Sequence, residues 1–163
     1  MTQPALLDRF AATPVSAPQS SEALLRADVL RNLDALFNAV ALEPGQEAWP
    51  SAANGSALDH VWRSCLNFGL PAWAGLALSP SRLRWLEDAL TQAIRRFEPR
   101  LLPSPLTVSL RRVAAGGEGW SAGARLQVVI LARMWLSGAP VPVSIVADLD
   151  ADTRRAQLRL QSR

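Results

Sequence analysis

Arg95-Arg96-Phe97-Glu98-Pro99-Arg100-Leu101 closes a strongly amphipathic stretch and sets two opposite charges on either side of a proline. Proline cannot continue a helical hydrogen-bond ladder, and its ring pushes the preceding residue toward extended geometry. The sequence therefore predicts that a helix ends here and that Glu98 and Arg100 occupy a fixed, non-helical elbow. Paired charges on a rigid bend make a good docking feature. An intramolecular clamp that locks the helix to the rest of the fold uses the same residues, and both readings stay open at this point.

Upstream of the elbow the helix is well specified. Ser79 is a natural N-cap, and Pro80 follows at the first helical position, where its missing N–H is harmless. Leu83, Leu86, Leu90, Ala93, Ile94 and Phe97 line one face, and Arg95 and Arg96 lie in the last turn, as the helix dipole prefers. Downstream the period changes from helical to alternating. Leu106, Val108 and Leu110 oppose Thr107, Ser109 and Arg111, the pattern of a strand from Leu106 to Val113. Ala114 to Gly123, with four glycines, reads as a connection. Leu126 to Trp135 reads as a buried strand, with a short helix as the alternative. Ser137-Gly138-Ala139-Pro140 reads as a turn. Val141 to Leu149 is a further strand whose start belongs on an edge, because Pro142 has no ladder donor. A tight turn at Asp150–Thr153 lets Ala156–Leu160 pair back as a terminal hairpin.

Toward the N-terminus, Leu25, Val29, Leu33, Leu36, Phe37 and Val40 recur at helical spacing, which predicts a helix from Ser21 to Ala41. A second helix is expected from Ser56 to Gly69, with Leu58, Val61, Trp62, Cys65 and Leu66 on its apolar side and Pro71 beyond its end. Residues 1–20 read as a flexible tail carrying one apolar island, Leu6-Leu7-Asp8-Arg9-Phe10, suited to docking on a partner or folding back on its own domain. Residues 21–163 read as one α+β domain. About three N-terminal helices would pack on a mostly antiparallel C-terminal sheet that ends in a hairpin.

A chain of 163 residues buries about two-thirds of its unfolded surface, and its 49% apolar content is ample for a core. All 17 basic residues are arginine, which inflates the pI while the net charge is only +3, so the charge is no nucleic-acid footprint. The arginine pairs Arg95/Arg96, Arg111/Arg112 and Arg154/Arg155 are separated, and no aromatic residues alternate with them. A single cysteine rules out an internal disulfide and a cysteine-based zinc site. The chain shows neither a secretory leader nor an apolar run long enough to cross a bilayer, so it reads as soluble and cytoplasmic.

Residues for chemistry are sparse. His60 and Cys65 are the one conceivable nucleophile–base pair, and five residues on a helix place them about 140° apart. Cys65 is expected to be buried and His60 partly exposed. Glu87 and Asp88 are adjacent on a solvated helix face. Asp148, Asp150 and Asp152 alternate like a calcium loop, but the glycine that loop needs directly after its third aspartate is missing and no distal glutamate follows. Aspartates there suit local backbone hydrogen bonds instead. Gly116-Gly117-Glu118-Gly119 lacks the lysine of a phosphate-binding loop. No cofactor or metal is expected. A glycan hydrolase would need two carboxylates flanking a groove, and Glu98 and Glu118 are the candidates.

Three segments together resemble the TssE family, small baseplate components of type VI secretion systems that are similar to wedge proteins of contractile phage tails. They are Leu6-Leu7-Asp8-Arg9-Phe10, the run Ser64-Cys65-Leu66-Asn67-Phe68-Gly69-Leu70-Pro71, and Phe97-Glu98-Pro99-Arg100-Leu101. Phe68 replaces a usual tyrosine, Ala72 a frequent aspartate and Arg154 a frequent glycine. The resemblance implies a non-enzymatic structural subunit at an inner-membrane-docked baseplate. It joins other wedge subunits, offers sheet edges to contractile sheath subunits, and has the spike hub as an additional partner. It neither binds nucleic acid nor inserts into the membrane. Partner contacts would fall on Glu98, Pro99, Arg100, Leu101 and the Leu6–Phe10 island. Asn67, Phe68, Gly69, Leu70 and Pro71 would be structural. A prophage or tailocin baseplate is the closest alternative.

Overall fold

The computed structural model describes residues 21–42, 60, 64–73, 79–113, 125–136 and 139–161. The Leu6–Phe10 island, most of the helix expected from Ser56, and the glycine-rich connection with Glu118 lie outside them. Helix α1 spans Ser21–Asn38 and α2 spans Pro80–Phe97, with a 3-10 turn at Cys65–Asn67 between them. Strands β1 (Thr107–Val113), β2 (Arg125–Leu136), β3 (Ala139–Asp150) and β4 (Ala156–Leu160) follow in sequence. They form an antiparallel meander in the order β1-β2-β3-β4. The α+β class stands, but with two α-helices among the described residues where about three were expected. His60 is helical; from Ser64 onward the chain makes the 3-10 turn instead of continuing an α-helix.

That turn overturns two burial expectations. Ser64 caps it by accepting the Leu66 N–H at 3.2 Å. A 3-10 turn advances 120° per residue, so the face presented to the core shifts from Cys65 and Leu66 to Asn67. Cys65 is exposed, Leu66 is 70% exposed, and Asn67 is fully buried. Val40 departs for a related reason. Helix α1 stops at Asn38, before Val40 can join its apolar face, and Val40 instead bridges in parallel to Leu70 and is 47% exposed.

Helix α2 forms as its sequence dictates. Ser79 Oγ accepts from Arg82 N at 3.3 Å, and Leu86, Ala89, Leu90, Ala93 and Ile94 are buried. Both helices pack on one face of the sheet, where Val29, Leu33, Leu36 and Phe37 of α1 meet Leu126, Val128, Ile130 and Met134 of β2 and Ile145, Ala147 and Leu149 of β3 in one cluster. Strand β2 alternates rather than being buried throughout: Leu131 is 49% and Trp135 58% exposed on the opposite face. Ala139 and Pro140 belong to β3, opposite Leu136 and Trp135, and not to a turn.

The β3–β4 turn is built by Asp150. Its Oδ1 accepts from the Asp152 and Thr153 amides at 2.9 and 3.0 Å, and its carbonyl accepts from Arg154 N at 2.9 Å. Arg154 closes the turn at φ +59°, the left-handed region, where a side chain costs roughly 1 kcal/mol over glycine.

Candidate functional site

The elbow is a buried electrostatic clamp. Glu98 ends α2, its amide still donating to Ile94 O at 2.9 Å, and its side chain is fully buried. A buried carboxylate needs full hydrogen bonding. Arg100 Nε donates to Glu98 Oε1 at 2.7 Å and its terminal nitrogen to Oε2 at 2.8 Å, a bidentate pair. The Arg100 amide adds a contact to Oε1 at 3.2 Å. The remaining partners come from α1. Asn32 Nδ2 donates to Glu98 Oε2 at 2.8 Å and to the Phe97 carbonyl at 3.0 Å, while Arg100 reaches the Asp28 carbonyl at 3.3 Å. The hydrogen bond to Glu98 raises the Arg100 guanidinium above its ordinary pKa, so it stays charged. Beyond the elbow, buried Leu101 bridges to Met134, and Leu102 N donates to Arg133 O at 2.7 Å, tying the bend to β2. What the elbow presents outward is Pro99 and the half-exposed part of Arg100.

Asn67–Pro71 is joined to the elbow through aromatic rings. Phe68 meets Phe97 edge to face, with centroids 5.2 Å apart. Gly69 has φ +138°, and a Cβ there would lie 2.6 Å from Ala41 N. Only glycine permits this approach, which is fixed by Leu70 N donating to Ala39 O at 3.0 Å and Ala41 N donating to Leu70 O at 2.9 Å. Leu70 and Pro71 are buried.

The sheet has two margins. In an antiparallel ladder the N–H and C=O of one residue point to the same side, and sides alternate along the strand. Gln161 N donates to Ser144 O at 2.9 Å, so the odd-numbered residues of β4 face β3, and Ala156, Leu158 and Leu160 face outward. The Asn38 side chain takes both outward groups of Ala156: its Oδ1 accepts from Ala156 N at 3.0 Å and its Nδ2 donates to Ala156 O at 3.2 Å. Among the described residues no strand pairs with the outward side of Leu158 and Leu160. On β1 the outward residues are Val108, Leu110 and Arg112, and Glu87 Oε1 accepts from Leu110 N at 2.7 Å. Glu87 is therefore half-buried and capping a strand, not solvated as expected. Strand β3 is central only from Ile145 onward. Pro142 and Pro140 turn their donorless nitrogens to the side that β4 does not reach, so Pro142 does lie on a local edge.

The residues weighed for chemistry form no common cluster among the described residues. Asp148 is engaged by Gln127, whose Nε2 donates at 2.9 Å, and by Arg159; Arg111 in turn donates to Gln127. This ladder crosses all four strands and leaves Asp148 in a different network from Asp150. His60 and Cys65 are both exposed, and Glu118 lies outside the described residues. Among the described residues no His, Cys, Asp or Glu side chains cluster to hold a metal, and no helix is long and apolar enough to cross a membrane.

Sequence reading missed Asn32 and Asn38, and placed Glu87 on a solvated face instead of against β1. Asn32 carried a signal: it falls among Val29, Leu33 and Leu36 on the apolar stripe, where a polar side chain needs a buried partner.

A family model described as baseplate wedge protein gp25 matches residues 23–139, which include all but the first two residues of α1, together with α2, the elbow, β1 and β2. No curated protein and no solved structure matches the chain.

Proposed function

The chain belongs to the gp25 baseplate wedge protein family, which includes TssE, and on that premise we propose that it is a non-enzymatic baseplate subunit of a type VI secretion system. In this reading it joins other wedge subunits and helps nucleate the contractile sheath. The wedge role rests on the family match, and the secretion-system reading rests on the resemblance of the segments around Asn67–Pro71 and Glu98–Leu101 to TssE. Sheath nucleation is supported by one observation above all, the outward margin of β4 at Leu158 and Leu160. An unpaired edge is a template on which an incoming strand adds by main-chain hydrogen bonds. The rigid elbow keeps α1, α2 and β2 in fixed relation, so that the margin is presented without a folding cost at assembly.

The test is reconstitution. The protein, co-expressed with wedge and sheath subunits from the same organism, is expected to co-purify with both. A protein that stays monomeric beside them would contradict the proposal, and cleavage of purified peptidoglycan by the protein alone would contradict its non-enzymatic part. Membrane-complex genes in the same cluster are the expected mark of a secretion system rather than a phage tail.

A further inference from the structure

A second surface lies at the far end of α1, away from the elbow. The end of α1, the Leu70–Trp73 segment and the β3–β4 turn enclose a cavity of about 250 Å³, open on one side. Its floor is apolar: Phe37, Leu70, Pro71 and Trp73 are all buried yet line it. Its lip is basic, formed by Arg154 and Arg155, both exposed. Among the described residues neither arginine has an ion-pair partner. The Asp150 carboxylate is buried and holds the turn amides, and Asp152 is the one exposed carboxylate of that turn, so the lip keeps a net positive charge.

The walls are held in place. The Asn38–Ala156 hydrogen bonds fix the α1 end against β4, and the Gly69 approach fixes the Leu70 segment against Ala41. The cavity is thus preorganised, which lowers the entropy lost on binding. Arg154 adds an independent observation. Its backbone adopts φ +59°, a conformation that glycine would hold without strain, yet this position at the lip carries an exposed charged side chain.

We propose that this cavity is a docking site for a partner segment that is both apolar and acidic. A bulky aliphatic side chain fills the floor beside Trp73, and a neighbouring carboxylate pairs with Arg154 and Arg155. A free phosphate or a nucleic-acid backbone would satisfy the lip and leave the floor empty, so the apolar floor selects a peptide. The inference goes beyond the baseplate role and does not depend on it.

The test uses fluorescence anisotropy with the full chain. The probe is a short fluorescein-labelled peptide alternating leucine with glutamate, and the control replaces glutamate with lysine. The glutamate peptide is expected to bind and the lysine peptide not to. Combined Arg154→Gly and Arg155→Gln substitutions are expected to weaken binding about tenfold, the loss of two partly exposed ion pairs. The same variant is expected to melt no lower than the parent, because glycine relieves the left-handed position. Undiminished binding by that variant, equal binding of both peptides, or absence of binding would overturn the proposal. So would complete displacement of the peptide by inorganic phosphate, which would make the lip a simple anion site. A dimer of the unliganded protein that dissociates in the variant would assign the cavity to a second copy of the chain instead.

Discussion

The elbow at Glu98–Leu101 and the outer margin of β4 are both rich in polar groups, and the fold treats them in opposite ways. At the elbow every oxygen of the buried carboxylate has a partner inside the chain, drawn from Arg100 two residues on and from Asn32 in α1. At the β4 margin one residue, Ala156, is capped by Asn38, and Leu158 and Leu160 are left outward with no strand beside them among the described residues. The first arrangement makes the monomer rigid. The second leaves main-chain groups that no strand among the described residues pairs with. A charged motif can therefore be satisfied within the fold: here it fixes the helices and β2 around it.

Substitutions separate these roles. Arg100→Ala strands a buried carboxylate and is expected to destabilise the isolated protein by about 3–5 kcal/mol, read by urea denaturation. Loss of assembly by this variant would therefore come with loss of stability. Asn32→Ala removes one hydrogen bond to the same charged group and should cost about 1.5–3 kcal/mol in the same measurement. If Arg100→Ala lowers assembly while the melting transition is unmoved, the elbow acts as a contact and the comparison fails.

Asn38→Ala works on the margin. It unpairs both outward groups of Ala156 and should cost about 1–2 kcal/mol. It also lengthens the open edge, so concentration-dependent self-association by analytical ultracentrifugation should rise. Glu87→Ala, which frees the Leu110 amide on the opposite margin, should cost about 1 kcal/mol by denaturation and leave assembly through β4 intact.

Local signals carried most of the fold. Ser79-Pro80 and the leucine spacing defined α2, Pro99 its end, and strict alternation the first strand. The strand borders shifted by a residue or two because hairpin pairing extends β2 and β3 past the apolar run, as with Ala139 and Pro140. Burial was legible where the period was clean and failed where the backbone changed type, as at Cys65 and Leu66. The elbow was legible as a charged bend, but its partner Asn32 is 66 residues away, and the Asn38–Ala156 pair spans 118 residues. Such contacts follow from tertiary packing and have no local periodicity. Arg154 was legible as a departure from the family's glycine, and the structure shows the left-handed backbone that the departure must tolerate.

Leu160→Pro separates margin from monomer most sharply. The Leu160 N–H faces away from β3, so proline removes no ladder bond inside the protein and should change stability by less than about 1 kcal/mol. Light scattering of purified sheath subunits seeded with baseplates containing the variant is the direct measurement. The structure predicts an unshifted melting transition with sheath nucleation lost. Nucleation at the parent rate by the folded variant would contradict the assignment of β4 as the seeding edge.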